Sequence, residues 1–211
     1  VARHGRNLID SLIMDGKKIC DGAHLVATTT NATYASVVDS AVVERAGSSR
    51  ALIKICGTMS DGSRRWLPFT LRLYAYAANE QLRMVHSFIY DGDQDKDFIS
   101  SLGLTFDVPL RKETYNRHVM FAMDGGKMWH EPVQPLDGRS PLDRNYNWQE
   151  RQQAGFEIPA ANTFDERQQT FLSEWASWDG FRLSQLNDGS FTLRKKAQSD
   201  RPCIGTFTGC R

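Results

Sequence analysis

The chain has 211 residues, with 26 lysines and arginines against 25 aspartates and glutamates, a net charge of +1 and 40% hydrophobic residues. That apolar content excludes wholesale disorder, and near-neutral charge excludes the basic surplus with which nucleic-acid binders displace counterions. No apolar stretch approaches the ~18–20 residues that a membrane-spanning helix needs, and the length suits one large β domain.

The N-terminal residues carry Arg3 and Arg6 without the apolar run of a secretion signal. Asn31-Ala32-Thr33 is a formal glycosylation sequon, a pattern common by chance. Short β-type runs at 41–44 and 51–56 flank the turn-forming Ala46-Gly47-Ser48-Ser49. Residues 65–77 give the clearest signal: Phe69, Leu71 and Leu73 alternate with Thr70, Arg72 and Tyr74, which puts the apolar set on one face. A second alternating run at 82–89 follows a short polar connection. The two predict an antiparallel hairpin buried inside a large sheet. Further strands are expected at 103–110, 117–123, 180–186 and 190–195, the last two joined over Asn187-Asp188-Gly189.

Helix is scarce. Residues 165–175 are the best candidate, with Asp165 as cap and Phe171, Leu172 and Trp175 on one face. Residues 132–163 read as a long irregular segment. The pattern predicts an all-β fold: a large antiparallel β-sandwich, supersandwich-like, with one short helix, formed by residues 1–211 as a single domain.

Four cysteines, Cys20, Cys56, Cys203 and Cys210, are too scattered for a disulfide scaffold or a zinc set. Cys203 and Cys210 could close a loop, but unpaired thiols are the simpler reading. The run from Asp91 to Asp97 begins like a calcium loop and then fails, with Lys96 at the glycine position and Leu102 where a bidentate glutamate belongs. A solvated connection explains it better, so no cofactor is expected. There is no GxSxG elbow, HExxH or GxGxxG after a strand.

Two segments could carry chemistry. Tyr115-Asn116-Arg117-His118 gathers four different hydrogen-bonding side chains at a strand entrance, where either a site or a capped strand start would sit. The second, read as a loop, holds Lys127, Trp129, His130, Gln134 and Arg139, then Tyr146, Trp148 and Arg151. Aromatics stack on sugar faces and arginine forks hold carboxylates, so the mixture suits an acidic carbohydrate. Alternatively, Trp129 and Trp148 anchor the loop to the sheet.

The sequence resembles the central domain of exo-rhamnogalacturonan lyases, a polysaccharide lyase group that includes bacterial YetA-like proteins. The resemblance is carried by Arg65-Trp66-Leu67-Pro68-Phe69-Thr70-Leu71-Arg72-Leu73-Tyr74, by Met84 through Gln94, and by Lys96-Asp97-Phe98-Ile99. Leu102-Gly103-Leu104, Phe106 through Leu110, Tyr115 through His118, Val133 through Leu136 and Gly138-Arg139 extend it, as do Asp179 through Gln185 and Gly189 through Arg194. The resemblance implies a sandwich between an N-terminal barrel-like domain and a C-terminal α/α toroid, and β-elimination at a galacturonate of rhamnogalacturonan I, an acidic pectic polysaccharide.

Such a reaction needs a base near the C5 proton and a positive group at the uronate carboxylate. The roles expected on that basis are His118 as base, Arg117 or Arg139 at the carboxylate and Tyr115 as proton donor. Trp129, His130, Tyr146, Trp148, Asn116 and Lys127 would bind substrate. The competing expectation is a non-catalytic scaffold or carbohydrate-binding sandwich.

Overall fold

The computed structural model describes residues 1–122, 126, 128–136, 147–187, 190–197 and 205–210, with backbone alone at 185–187, 190, 197 and 205–210. It consists mainly of antiparallel strands and divides into two compact units, Val1–Pro109 and Leu110–Arg211.

Unit 1 begins with a small hairpin, β1 (Leu12–Met14) and β2 (Lys17–Cys20). Asp15 and Gly16 turn it with φ of 50° and 72°, the paired left-handed conformation that matches strand twist. Six strands follow: β3 (Ala23–Thr29), β4 (Thr33–Ala46), β5 (Arg50–Ser60), β6 (Arg65–Tyr76), β7 (Leu82–Phe88) and β8 (Ile99–Phe106). They form one antiparallel sheet in the order β7-β6-β5-β4-β3-β8. The alternation read from the sequence holds: Phe69, Leu71 and Leu73 are buried with Ile55 and Met59, while Thr70, Arg72 and Tyr74 face the other way. One expectation needs correction. β6 is interior, but β7 is an edge strand: Leu82 and Met84 pack partly buried against the core, and His86 stacks on Phe88 and meets Phe69 at a tilt. Burial holds the His86 imidazole below its ordinary pKa.

The core face of this sheet is covered by Leu8, Ile9 and Cys20 from the N-terminal segment. Because β7 and β8 lie on opposite edges, residues 89–98 must cross the sheet, and they do so over Trp66. The Trp66 ring meets Tyr34 at 5.4 Å and Tyr90 at 6.0 Å, both edge-on. Trp66 itself opens a bulge in which Leu67 and Pro68 oppose the single residue Thr58. Leu67 takes φ of 49°, and its N–H leaves the ladder to donate to Asp91 Oδ1 at 2.7 Å. Pro68, which has no N–H to offer, is tolerated inside the sheet for the same reason.

The acidic run is therefore a strap. Asp97 takes both Arg64 nitrogens at 2.7 Å and the Asp93 N–H at 2.8 Å, while the Tyr90 hydroxyl donates to the Asp97 carbonyl at 2.8 Å. Asp91 and Asp97 thus spend their carboxylates on the protein's own groups, and no cluster of three or more potential metal ligands occurs among the described residues.

Unit 2 opens with a 3-10 turn at Thr114–Asn116 and a hairpin of β9 (His118–Ala122) and β10 (Met128–Pro132). Then come α1 (Trp148–Gln153), a 3-10 turn at Ala161–Thr163 and α2 (Glu166–Glu174). The sheet β11 (Trp178–Asn187), β12 (Ser190–Ala197) and β13 (Gly205–Cys210) closes the chain. The expected cap of α2 is a full capping box, with Asp165 and Gln168 bonding each other's backbone N–H. A second core joins Tyr115, Leu136, Ile158 and Leu172, with Trp148, Phe164 and Phe171 against them. Two expectations are corrected: residues 128–132 are a paired strand rather than a loop, and α1 adds a helix to the one predicted. Both helices are far too short to cross a membrane. Cys20 and Cys56 are free thiols, whereas Cys203 and the Cys210 side chain lie outside the described residues.

A Cβ at Gly57 would overlap the Val37 carbonyl and reach 2.8 Å from the Phe69 ring, so Gly57→Ala is expected to destabilise the protein by about 1–3 kcal/mol in urea titration. The Arg64 guanidinium, then the Asp93 N–H, hold Asp97 down to about 2. A carboxyl lowered on folding contributes stability that is complete above its unfolded value near 4 and disappears as pH falls through about 2. Asp97→Asn should flatten the stability curve in that window and lower it at neutral pH; unchanged slopes would contradict the strap.

Candidate functional site

The turn at residues 113–118 must bury irregular backbone, which requires partners for its polar groups. Tyr115 is buried and its hydroxyl donates to the Pro159 carbonyl at 3.0 Å. Burial, then the Glu113 carboxylate, hold this phenol above its ordinary pKa. Asn116 makes a two-way bond to Ile158, donating from Nδ2 at 2.7 Å and accepting the Ile158 N–H at 2.8 Å. Arg117 Nε donates to the Lys112 carbonyl at 2.5 Å. Three of the four side chains singled out in this segment thus bond backbone of residues 112, 158 and 159, and the fourth, His118, bonds the Gln152 carbonyl.

Beneath them lies Gln152, 1% exposed, a residue the sequence reading passed over. Its Nε2 donates to the carbonyls of Tyr115 (2.6 Å) and Gln134 (2.9 Å), and its Oε1 accepts the Leu136 N–H at 2.8 Å. Gln134 repeats the pattern, donating to the carbonyls of Leu172 at 2.7 Å and Trp175 at 3.0 Å. The Trp175 indole returns a bond to the Pro135 carbonyl at 2.7 Å. These amides tie α1, α2 and the β9 entrance into one frame. The only hint in the sequence is α1's cap, Asn147, which accepts from Glu150 N and starts the helix that carries Gln152.

His118 differs from its neighbours. Its Nε2 lies 3.0 Å from the Gln152 carbonyl, and a carbonyl only accepts, so in the neutral ring the proton sits on Nε2 and the lone pair on Nδ1. Register puts His118 opposite Pro132 and His130 opposite Met120, on one face of the β9–β10 hairpin. The two imidazoles are 5.8 Å apart, beside the exposed Met120 and Met128. The structure therefore brings His118 and His130 together.

Trp129 and Glu131 point the other way. Trp129 packs edge-on to Phe191 at 5.7 Å, and Glu131 meets Lys195 at 2.6 Å in a pair whose side chains are 18% and 8% exposed. Lys195 also lies 5.2 Å from the Trp178 ring. Trp148 is edge-on to Phe164 at 5.9 Å, and Arg151 sits over Trp148 and Phe156 at 6.0 and 5.2 Å. Both tryptophans pack as anchors of the second unit. Lys127, Arg139 and Tyr146 lie outside the described residues. A cleft of about 300 Å³ opens beside Tyr115, lined by Glu113, Gln134, Gln169, Ser173 and Trp175, and His118 is not part of its wall.

Gln152→Ala would strand two buried carbonyls and one buried N–H. A loss of about 2–5 kcal/mol is expected, read as faster hydrogen exchange at Leu136 and Ile158 with the strands of unit 1 unaffected. Unchanged exchange at Leu136 would contradict the frame.

Comparison with known proteins places this fold in a family. The family described as PcRGLX-like protein central beta sandwich domain matches residues 1–211. A protein of Bacillus subtilis (strain 168), named as uncharacterized protein YetA, is 29% identical over 227 residues, covering 100% of this chain and 26% of its own length. The chain therefore spans about a quarter of that curated relative. On the match over its whole length, the chain belongs to the PcRGLX-like central β-sandwich domain family.

Proposed function

We propose that this domain is part of a polysaccharide lyase that cleaves rhamnogalacturonan I at galacturonate–rhamnose linkages by β-elimination, working with flanking barrel-like and toroid domains of a longer parent chain. Family membership and the motifs of the resemblance support the reaction class. The observation that carries a role for this domain is His118: a backbone carbonyl fixes its tautomer and orientation and leaves a basic nitrogen.

In the reaction the base takes the proton from C5 and the electrons form the C4–C5 double bond. The C4–O4 bond breaks, and the departing rhamnose oxygen receives a proton. His118 Nδ1 is the acceptor in this scheme. Arg117 or Arg139 would neutralise the uronate carboxylate as charge develops on it. Tyr115 has its proton engaged by Pro159, so donation from water fits the leaving oxygen better.

A second reading, a non-catalytic scaffold, is favoured by the commitment of Tyr115, Asn116 and Gln152 to backbone groups. Ultraviolet absorbance separates the two, because elimination leaves a conjugated unsaturated uronate. In a full-length parent acting on rhamnogalacturonan I, His118→Gln should lower turnover about 10²-fold or more with an unchanged unfolding midpoint. Near-normal turnover would remove His118 as base and leave the scaffold reading standing.

A further inference from the structure

The outer face of the unit 1 sheet, turned away from the apolar core, is cationic. Register sets Lys54 opposite Arg72, Tyr74 opposite Arg83, and Leu52 opposite both Tyr74 and Arg45, so these side chains share the face that Ile55, Leu71 and Leu73 do not. A bulge in β4 turns Glu44 to the same side, where it meets Arg72 at 3.4 Å and Lys54 at 3.7 Å. Arg50 and Arg83 have no carboxylate partner among the described residues and instead lie over the Tyr74 ring at 5.9 and 5.6 Å. Arg45 is exposed and makes no ion pair among the described residues. Five cations thus share one carboxylate in a chain whose net charge is +1. The neighbouring β6–β7 turn adds Glu80, which pairs with none of them among the described residues. Farther along the same face, Arg65 and Asp39 pair one to one at 3.4 Å.

A charge surplus concentrated on one face has a specific chemistry. Guanidiniums laid against a tyrosine ring are already ordered, and their forks match carboxylates in two-point contact. Single-stranded nucleic acid binds by stacking bases on open rings, whereas Tyr74 at the centre of this face is covered by both arginines. Resting on the lyase reading above, we infer that the Arg45, Arg50, Lys54, Arg72 and Arg83 face binds the carboxylates of an acidic polysaccharide and holds the polymer on unit 1. This surface belongs to unit 1, whereas His118 belongs to unit 2.

The test titrates this chain with rhamnogalacturonan I and with polygalacturonate, against methyl-esterified polygalacturonate, by calorimetry. Both acidic polymers should bind, more weakly as salt rises, and the esterified one should not. The double variant R50Q/R83Q should bind about tenfold or more weakly, R50K/R83K less severely, and R65Q as the parent does. Circular dichroism and the unfolding midpoint confirm that each variant is folded. Equal binding of the esterified polymer, undiminished binding by R50Q/R83Q, or no binding at all would overturn the proposal. So would a loss of stability of the full-length protein in R50Q/R83Q with polymer affinity intact, which would mean that the face docks another part of the parent. Elimination by a full-length parent whose isolated domain fails to bind would sink this face and keep the lyase. Binding without elimination by the parent would do the reverse.

Discussion

Irregular backbone buried against a core must have its hydrogen bonds met, and the second unit meets them with one side chain more than any other. The Gln152 amide serves three backbone groups from two segments, and the same residue's carbonyl holds His118. Removing the amide would unfasten the β9 entrance from α1 and from the segment that Gln134 pins to α2. The orientation of His118 depends on that frame, because the helix that satisfies the turn is also the helix that fixes the imidazole.

Unit 1 solves the same problem with charge. Its topology forces a connection across the sheet between opposite edges, and the residues that resemble a calcium loop anchor that connection. Asp91 serves the N–H released by the Leu67 bulge, and Asp97 clamps Arg64, which itself lies 4.8 Å over the Trp66 ring. Asp91 and Asp97 are used up on the core side, while the outer face holds more cations than carboxylates. A near-zero net charge therefore conceals a polar distribution that composition alone does not reveal.

Much of the fold was legible because it rests on local rules. Alternation at 65–77 identified β6 and its buried face, and Asp165 with the shared face of Phe171, Leu172 and Trp175 announced α2. β10 was missed because its short run, Met128 to Pro132, carries polar and apolar residues on both faces and gains its pairing only from β9. α1 is six residues long, too short for a period to emerge. The candidate site was half legible. Tyr115, Asn116, Arg117 and His118 stood out by type, yet type cannot distinguish a side chain offered to a substrate from one engaged by a carbonyl dozens of residues away. Trp129 and Trp148 looked like sugar platforms for the same reason; their edge-on partners, Phe191 and Phe164, are distant in sequence.

What remains for chemistry on the described hairpin is a histidine whose partner dictates which nitrogen is basic. A long-range proton–nitrogen correlation spectrum of this chain, assigned at His118 by comparison with His118→Gln, tests that most directly. The Gln152 carbonyl predicts that the neutral form of the ring carries its proton on Nε2 and leaves Nδ1 unprotonated. A ring protonated at Nδ1 instead would contradict the frame and, with it, the placing of a base on this domain.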